Sequence, residues 1–221
     1  MYQIWDIDAG FLDDALLTEQ MRLLSGLAAA EGNHPKLPPH WLGHDGALVV
    51  RLNQLIAEMR LRGIATPDYQ RVPKGAIIWP ARFPLAPSEQ FGLLAERQQQ
   101  GKHGRISVPK SEHEIWARYK YSIMARNHNS YQIFGRLVAI RAFTFNDLLL
   151  EMVHAKRATP AETDLRNALQ HMWGYVSAFS RMRPDTCSLA DLLQEVQVQA
   201  KENNVQYLLN STALGELALW C

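Results

Sequence analysis

Cysteine is scarce. Cys187 and Cys221 are the only two in 221 residues, and they lie far apart with no Cys-x-x-Cys or Cys/His spacing. That excludes a disulfide framework and predicts a reduced, cytoplasmic protein. Long apolar runs are missing as well: none approaches the ~20 residues needed to span a bilayer, so no membrane partner is expected. Where a signal peptide would place basic and then apolar residues, the chain has Asp6, Asp8, Asp13 and Asp14. There is no G-x-x-x-x-G-K-[ST], no G-x-G-x-x-G, no G-x-S-x-G and no H-E-x-x-H, so common nucleotide-binding and hydrolase readings lose most of their support. No cofactor is called for. No alternating strand pattern and no repeat is visible.

The chain does contain enough apolar material for a core, at 47% hydrophobic residues, and this excludes a disordered or collagenous chain. Net charge is only +1, but it is unevenly spread. Residues 97–157 hold eleven bases against four acids, a local +7, and each flank is −3. A basic middle between acidic flanks is the pattern of an electrostatic footprint for an anionic polymer. The same count would arise from separately solvated side chains on several faces.

Helical periodicity dominates. Over 47–62 the residues Leu48, Val49, Leu52, Leu55, Ile56 and Met59 form one wide apolar stripe, closed by Gly63 as a C-cap. An earlier helix is expected to start after Asp13 or Asp14, run through Leu16, Leu17, Met21 and Leu24, and end near Gly32. Ser88 is expected to cap a short helix reaching Gln99. Ser111-x-x-Glu114 and Thr159-Pro160-Ala161-Glu162 read as capping boxes, Ser188-x-x-Asp191 resembles one, and Thr144-x-x-Asp147 marks a start or a kink. Helices near 112–126, 130–142, 145–157, 160–181 and 188–203 follow. Five prolines (Pro67, Pro73, Pro80, Pro84 and Pro87), mixed with Ile77, Ile78, Trp79 and Phe83, predict a packed but irregular crossing segment. Residues 98–105 (QQQGKHGR) read as a basic loop. The fold class is all-α, a compact multi-helix bundle.

Three features could carry chemistry. His34, His40 and His44 cluster around a Pro-rich loop (HPKLPPHWLGH). Three imidazoles can hold zinc, but packing and capping histidines explain the loop more simply, and no metal site is assigned. The run Trp116-Ala117-Arg118-Tyr119-Lys120-Tyr121 interleaves bases with rings on one helix, which suits phosphate contact plus stacking on an unpaired base. The competing reading puts Trp116, Tyr119 and Ile123 in the core and leaves Arg118 and Arg126 solvated. His171 with Asn167 and Gln170 reads as a satisfied buried polar network rather than a catalytic group.

Ile4-Trp5-Asp6, then Leu16-Leu17-Thr18-Glu19, the HP…W-x-GH stretch, and Leu55-Ile56-Ala57-Glu58-x-x-x-Arg62-Gly63 together resemble the pyrimidine-dimer DNA glycosylases of the phage endonuclease V type, over about residues 1–65. That resemblance implies an all-α scaffold whose N-terminal α-amine attacks the sugar C1′ of a damaged nucleotide, giving a Schiff base and a lyase step. Tyr2 is bulky, so Met1 is expected to be retained. An α-amine with pKa ~8 offers a useful neutral fraction near neutral pH. The family pattern on the first helix, L-x-x-E-x-R-E-L, is met at Glu19, but its arginine and second glutamate positions hold Met21 and Arg22. The resemblance then assigns attack to Met1 and assistance to Glu19. Arg22 would hold phosphate, because a guanidinium cannot serve as a general base.

Further along, Trp116 to Ala125, Tyr131-x-x-Phe134-Gly135-Arg136-Leu137-Val138-Ala139, Thr159-Pro160, and Leu165-Arg166-Asn167-Ala168-Leu169-Gln170-His171-Met172-x-Gly174-Tyr175 are similar to the YbgA-like helical family over about 112–210. That family has no established activity; its members occur beside or fused to proteins acting on damaged or modified nucleobases. The expected organisation is a glycosylase-like region (1–65), a Pro-rich and basic connection (66–110) and a YbgA-like region (111–221), which the apolar crossing segment inclines toward one continuous bundle. The expected function is nucleic-acid binding of a DNA-repair type, DNA rather than RNA. It could include N-glycosylase/AP-lyase activity on pyrimidine dimers or abasic sites. The alternative is a non-catalytic binding or helical interaction module. Besides Met1, Glu19 and Arg22, the residues expected at the nucleic acid are Lys102, Arg105, Trp116, Arg118, Lys120, Tyr121 and Arg126. Oligomeric state is left open.

Overall fold

The structure, a computed structural model, describes residues 3–28, 37–73, 75–82 and 84–221. Among them there is no strand, and the fold is all-α. No helix among the described residues is long and apolar enough to cross a membrane. The chain forms two units, Met1–Gly104 and Arg105–Cys221.

The first unit is built on α1 (Asp14–Ala28), α2 (Asp45–Leu61) and α3 (Pro87–Gln99). Helix α1 starts where Asp13 Oδ1 accepts from the backbone N–H of Ala15 (3.1 Å) and Leu16 (3.0 Å), the usual way to satisfy donors that have no partner in a first turn. It buries Leu17, Gln20, Leu24 and Leu27 and packs on α2; the expected end near Gly32 lies outside the described residues. Helix α2 differs from its sequence signature. It is buried on every face from Val50 to Met59, with Arg51, Asn53, Gln54 and Glu58 inside. The polar members have partners, as burial requires. Asn53 exchanges two hydrogen bonds with Gln70, donating to its carbonyl (2.7 Å) and accepting from its N–H (2.8 Å). This amide clamp holds the proline segment to the helix. His44 Nδ1 reaches the Ile78 carbonyl (2.9 Å), and Trp79 meets Trp41 edge-on at 6.3 Å. Among the described residues, 64–86 carry no regular element, and the expected packing is only partial: Pro80 is buried, more than half of the segment is exposed, and Ile78 lies open at 67%.

Gly63 takes φ 75°, and Ile64 N–H bonds back to the Met59 carbonyl (2.9 Å), a left-handed helix stop that glycine adopts without penalty. Helix α3 begins one residue before the expected serine. Ala86 occupies the cap position, and the Glu89 carboxylate accepts from its N–H at 2.7 Å. Pro87 fits the first turn because it has no donor to lose, which leaves Ser88 inside the helix. The N-terminal turn at 9–11 is tied to α3 by the Phe11–Phe91 ring contact (4.7 Å) and by Asp13 with Arg97 (2.6 Å).

The second unit surrounds α4 (Glu112–Met124) with α5 (His128–Ala139), α6 (Phe145–Ala155), α7 (Glu162–Trp173) and the short α10 (Ala213–Glu216); α8 (Leu189–Glu202) packs on α7, and α9 (Gln206–Leu209) follows it. The caps read from sequence are present: Ser111 accepts from Glu114 N–H, Thr144 from Asp147 N–H and Ser188 from Asp191 N–H. Thr159 is not one. Helix α7 starts at Glu162 with Ala161 before it, and it stops at Trp173 rather than near 181, passing into turns. Helix α5 starts earlier than expected because Asn127 Oδ1 caps it through Ser130 N–H (2.8 Å).

Candidate functional site

Helix α4 presents its residues in four directions. Tyr119 and Ile123 are fully buried, as the core reading of this helix requires. Trp116, one turn earlier, is half-buried against α5. Lys120 and Tyr121 face α9 and the turn after α7. There the Lys120 ammonium lies 4.8 Å from the centroid of the Tyr121 ring and 4.9 Å from that of Tyr207. Tyr207 stacks on Tyr175 at 4.7 Å with the planes only 22° apart, and Tyr121 meets both edge-on. Cation–π contacts contribute about 0.5–2 kcal/mol each, most when desolvated. The three rings and the ammonium therefore form a fixed group. Tyr121 itself is buried; burial pushes its phenol far above the usual range, reinforced by a hydrogen bond with Tyr175, so it stays neutral. Tyr175 and Tyr207 are open to solvent at 43% and 36% of their area, and Phe179, four residues after Tyr175, is exposed as well (51%).

Arg118 stands on the rim of this group. It donates to Ser107 Oγ (2.9 Å) and lies 3.9 Å from Glu114. Burial lowers its guanidinium pKa, opposed by Glu114 and Tyr207.

Several bases of the segment are committed elsewhere. Arg126 is buried, forked onto Glu216 (2.8 and 2.9 Å), and donates further to the carbonyls of Lys156, Ala158 and Ser122. Its assignment to the nucleic acid is thereby corrected: an internal ion pair occupies it. Tyr121 is corrected in part, since it supports the exposed rings from beneath rather than offering its own face. Arg105 donates to the carbonyls of Leu209 and Ser211, tying the start of the unit to α9. Lys156 is buried beside the Tyr119 ring, and Arg97 is paired with Asp13. The local +7 is thus in part structural. Lys102 is exposed after α3 in the first unit, while Lys110, Arg136 and Arg141 are exposed in the second.

Of the catalytic set, Met1 lies outside the described residues. Glu19 and Arg22 are exposed on α1, one turn apart. The glutamate of the L-I-A-E-x-x-x-R-G stretch has a different task. Glu58 is buried and accepts from Arg62 Nε (2.8 Å), while Arg62 also donates to Asp14 (2.9 Å) and to the carbonyls of Leu12 (2.8 Å) and Gly10 (3.1 Å). This part of the glycosylase-like pattern is a clasp holding the N-terminal turn to α2. His34 lies outside the described residues. Among those described, no three His, Cys, Asp or Glu side chains converge as a metal site would need. Burial, then His44, lowers the His40 pKa. His171 is exposed rather than part of a buried network; Asn167 turns instead to His128 (3.2 Å) and Gln170 to Asp185 (2.8 Å).

No family model, no curated protein and no solved structure matches the chain. What its surface can do must be read from its own side chains. Tyr175 and Tyr207 were not singled out by sequence reasoning. Tyr175 appears there only as the end of the YbgA-like pattern, without a role, and Tyr207, set between Gln206 and Leu208, carries no local signal.

Proposed function

We propose that the protein is a non-catalytic binding module for single-stranded or locally unpaired nucleic acid, which it holds through Lys120 and the Tyr175–Tyr207 pair. The observation that carries this reading is the stacked, solvent-open tyrosine pair with an ammonium held against it. Aromatic faces accept any unpaired base, at about 1–3 kcal/mol per stacked base, and a neighbouring cation takes the phosphate. Arg118 on the rim and Lys110 nearby in sequence add positive charge. With so few unpaired bases the binding is local and modest.

Two features favour binding over strand cleavage. Arg22 stands where the glycosylase pattern carries its carboxylate, and Glu58 is committed to Arg62. The test is titration of a fluorescent single-stranded oligonucleotide, DNA and RNA in parallel, against the wild type and Lys120→Ala with Tyr207→Ala. The double variant is expected to lose at least tenfold in affinity, and the duplex of the same sequence is expected to bind more weakly than the single strand. Equal binding by wild type and variant refutes the proposal.

A further inference from the structure

One turn back along α4 from Lys120, about 6 Å by helical rise, a second aromatic feature opens on the α4–α5 side. A shallow cleft of about 390 Å³ is lined by Trp116, Tyr131, Gln132, Gly135, Arg136 and Ala139. Two of its lining residues are rings, and a third, His128, backs them from outside the lining. His128 stacks on Tyr131 at 5.9 Å and 29°, and Tyr131 meets Trp116 at 5.4 Å and 33°. Gly135 lets α5 come this close: a Cβ there would lie 3.3 Å from Trp116 Cζ2. Trp116 stays half-buried there and lines the cleft. Gln132 contributes an amide, tethered through its Nε2 to His128 (2.9 Å). Arg136 is exposed, with its Nε on the Gln132 carbonyl (3.3 Å).

These walls select a ligand class. Flat aromatic surface next to an amide suits a planar ring with hydrogen-bonding edges. A guanidinium on the rim suits an anion attached to that ring by a short linker. The cleft is shallow and lies at the low end of small-ligand sites, about the size of one nucleotide. A neutral sugar could stack on the rings but would leave the Arg136 guanidinium without an anion. A lipid chain would need a deeper apolar slot and no Arg136.

We infer that this cleft is a mononucleotide subsite, in which one unpaired base lies against Trp116 and Tyr131 and Arg136 takes its phosphate. The inference rests on the nucleic-acid reading above and extends it to a second aromatic site on the same helix.

The experiment follows the indole N–H signals of the full-length protein in a ¹H–¹⁵N spectrum, with Trp116→Phe assigning the Trp116 signal, as adenosine 5′-monophosphate or uridine 5′-monophosphate is added. The Trp116 signal is expected to move and saturate in the millimolar range. Ala139→Leu fills the cleft from an exposed helix position and is expected to weaken this response about tenfold or more; Arg136→Ala is expected to make nucleotide and nucleoside equivalent. No movement of Trp116, or an unchanged response in Ala139→Leu, overturns the subsite. Oligonucleotide binding that depends on Lys120 and Tyr207, with a silent Trp116, overturns the subsite alone. A nucleotide response at Trp116 with no effect of Lys120→Ala and Tyr207→Ala on the oligonucleotide supports the subsite and overturns the tyrosine surface instead.

Discussion

Replacing Arg126 by methionine should destabilise the protein more than almost any other single change of charge. The guanidinium is 2% exposed and its Glu216 partner 3%, with both Nη–Oε distances below 3 Å. Its Nε and Nη1 also satisfy the carbonyls of Lys156, Ala158 and Ser122. Removing the cation strands a carboxylate in the interior together with these carbonyls, and such a loss costs about 3–5 kcal/mol. For a unit of this size that lowers Tm by roughly 10–20 °C. The double variant Arg126→Met with Glu216→Leu removes both charges and should recover most of the loss, because the stranded carboxylate dominates the penalty. Urea titration followed by circular dichroism gives the three stabilities and the coupling between the sites. Assayed below its melting transition, Arg126→Met should bind oligonucleotide like the wild type. A single-variant loss below about 1 kcal/mol, the value of an exposed pair, would refute the reasoning, as would selective loss of nucleic-acid binding.

Three further outcomes are expected. Gly104→Ala puts a Cβ 2.3 Å from the Phe11 carbonyl oxygen, where backbone must move on both sides; thermal melting should show a loss of about 2 kcal/mol or more, and a melting point equal to wild type would contradict the packing. At Asp13 burial raises the carboxyl pKa, but the N–H groups of Leu16 and Ala15 and the Arg97 guanidinium outweigh it, so the folded value lies below the ordinary one. Its contribution is therefore present above the unfolded-chain pKa of about 3.9 and disappears as pH falls through the lower folded value. The stability gap between wild type and Asp13→Asn should be full at neutral pH and shrink below about pH 4, whereas a gap constant down to pH 3 would be the contrary result. Borohydride reduction with an abasic-site or thymine-dimer duplex should yield no covalent adduct; an adduct that disappears when the N-terminal amine is blocked would restore the lyase reading at Met1.

The helical architecture was legible because its signals are local. Ser111, Thr144 and Ser188 each cap the helix that follows them, and Gly63 ends α2, since a cap is decided by residues within one turn. Thr159 shows the limit: the same local pattern was present, but the chain entered its helix two residues later. Charge was much less legible. Arg126 and Lys120 look alike in sequence, and only Glu216, ninety residues on, makes one internal while the other rests on exposed rings. The candidate surface was half visible for the same reason. Lys120 and Tyr121 stand in a conspicuous run, whereas Tyr175 and Tyr207 join them only through the packing of α7 and α8 and the short α9. Glu58 and Arg62 were read through a family resemblance; their geometry gives a structural clasp that no spacing rule would have distinguished from a catalytic pair.

The most direct test of the account is the salt dependence of single-strand binding. Log affinity for a single-stranded oligonucleotide, plotted against log salt concentration, falls with a slope of about −0.7 for each phosphate neutralised. Lys120→Ala is expected to flatten the wild-type slope by about that amount. Tyr207→Ala should weaken binding by about 1–3 kcal/mol with the slope unchanged, separating the ammonium's part from the ring's. A wild-type protein that shows no salt-dependent binding, or two variants that leave both slope and affinity where they were, would contradict it.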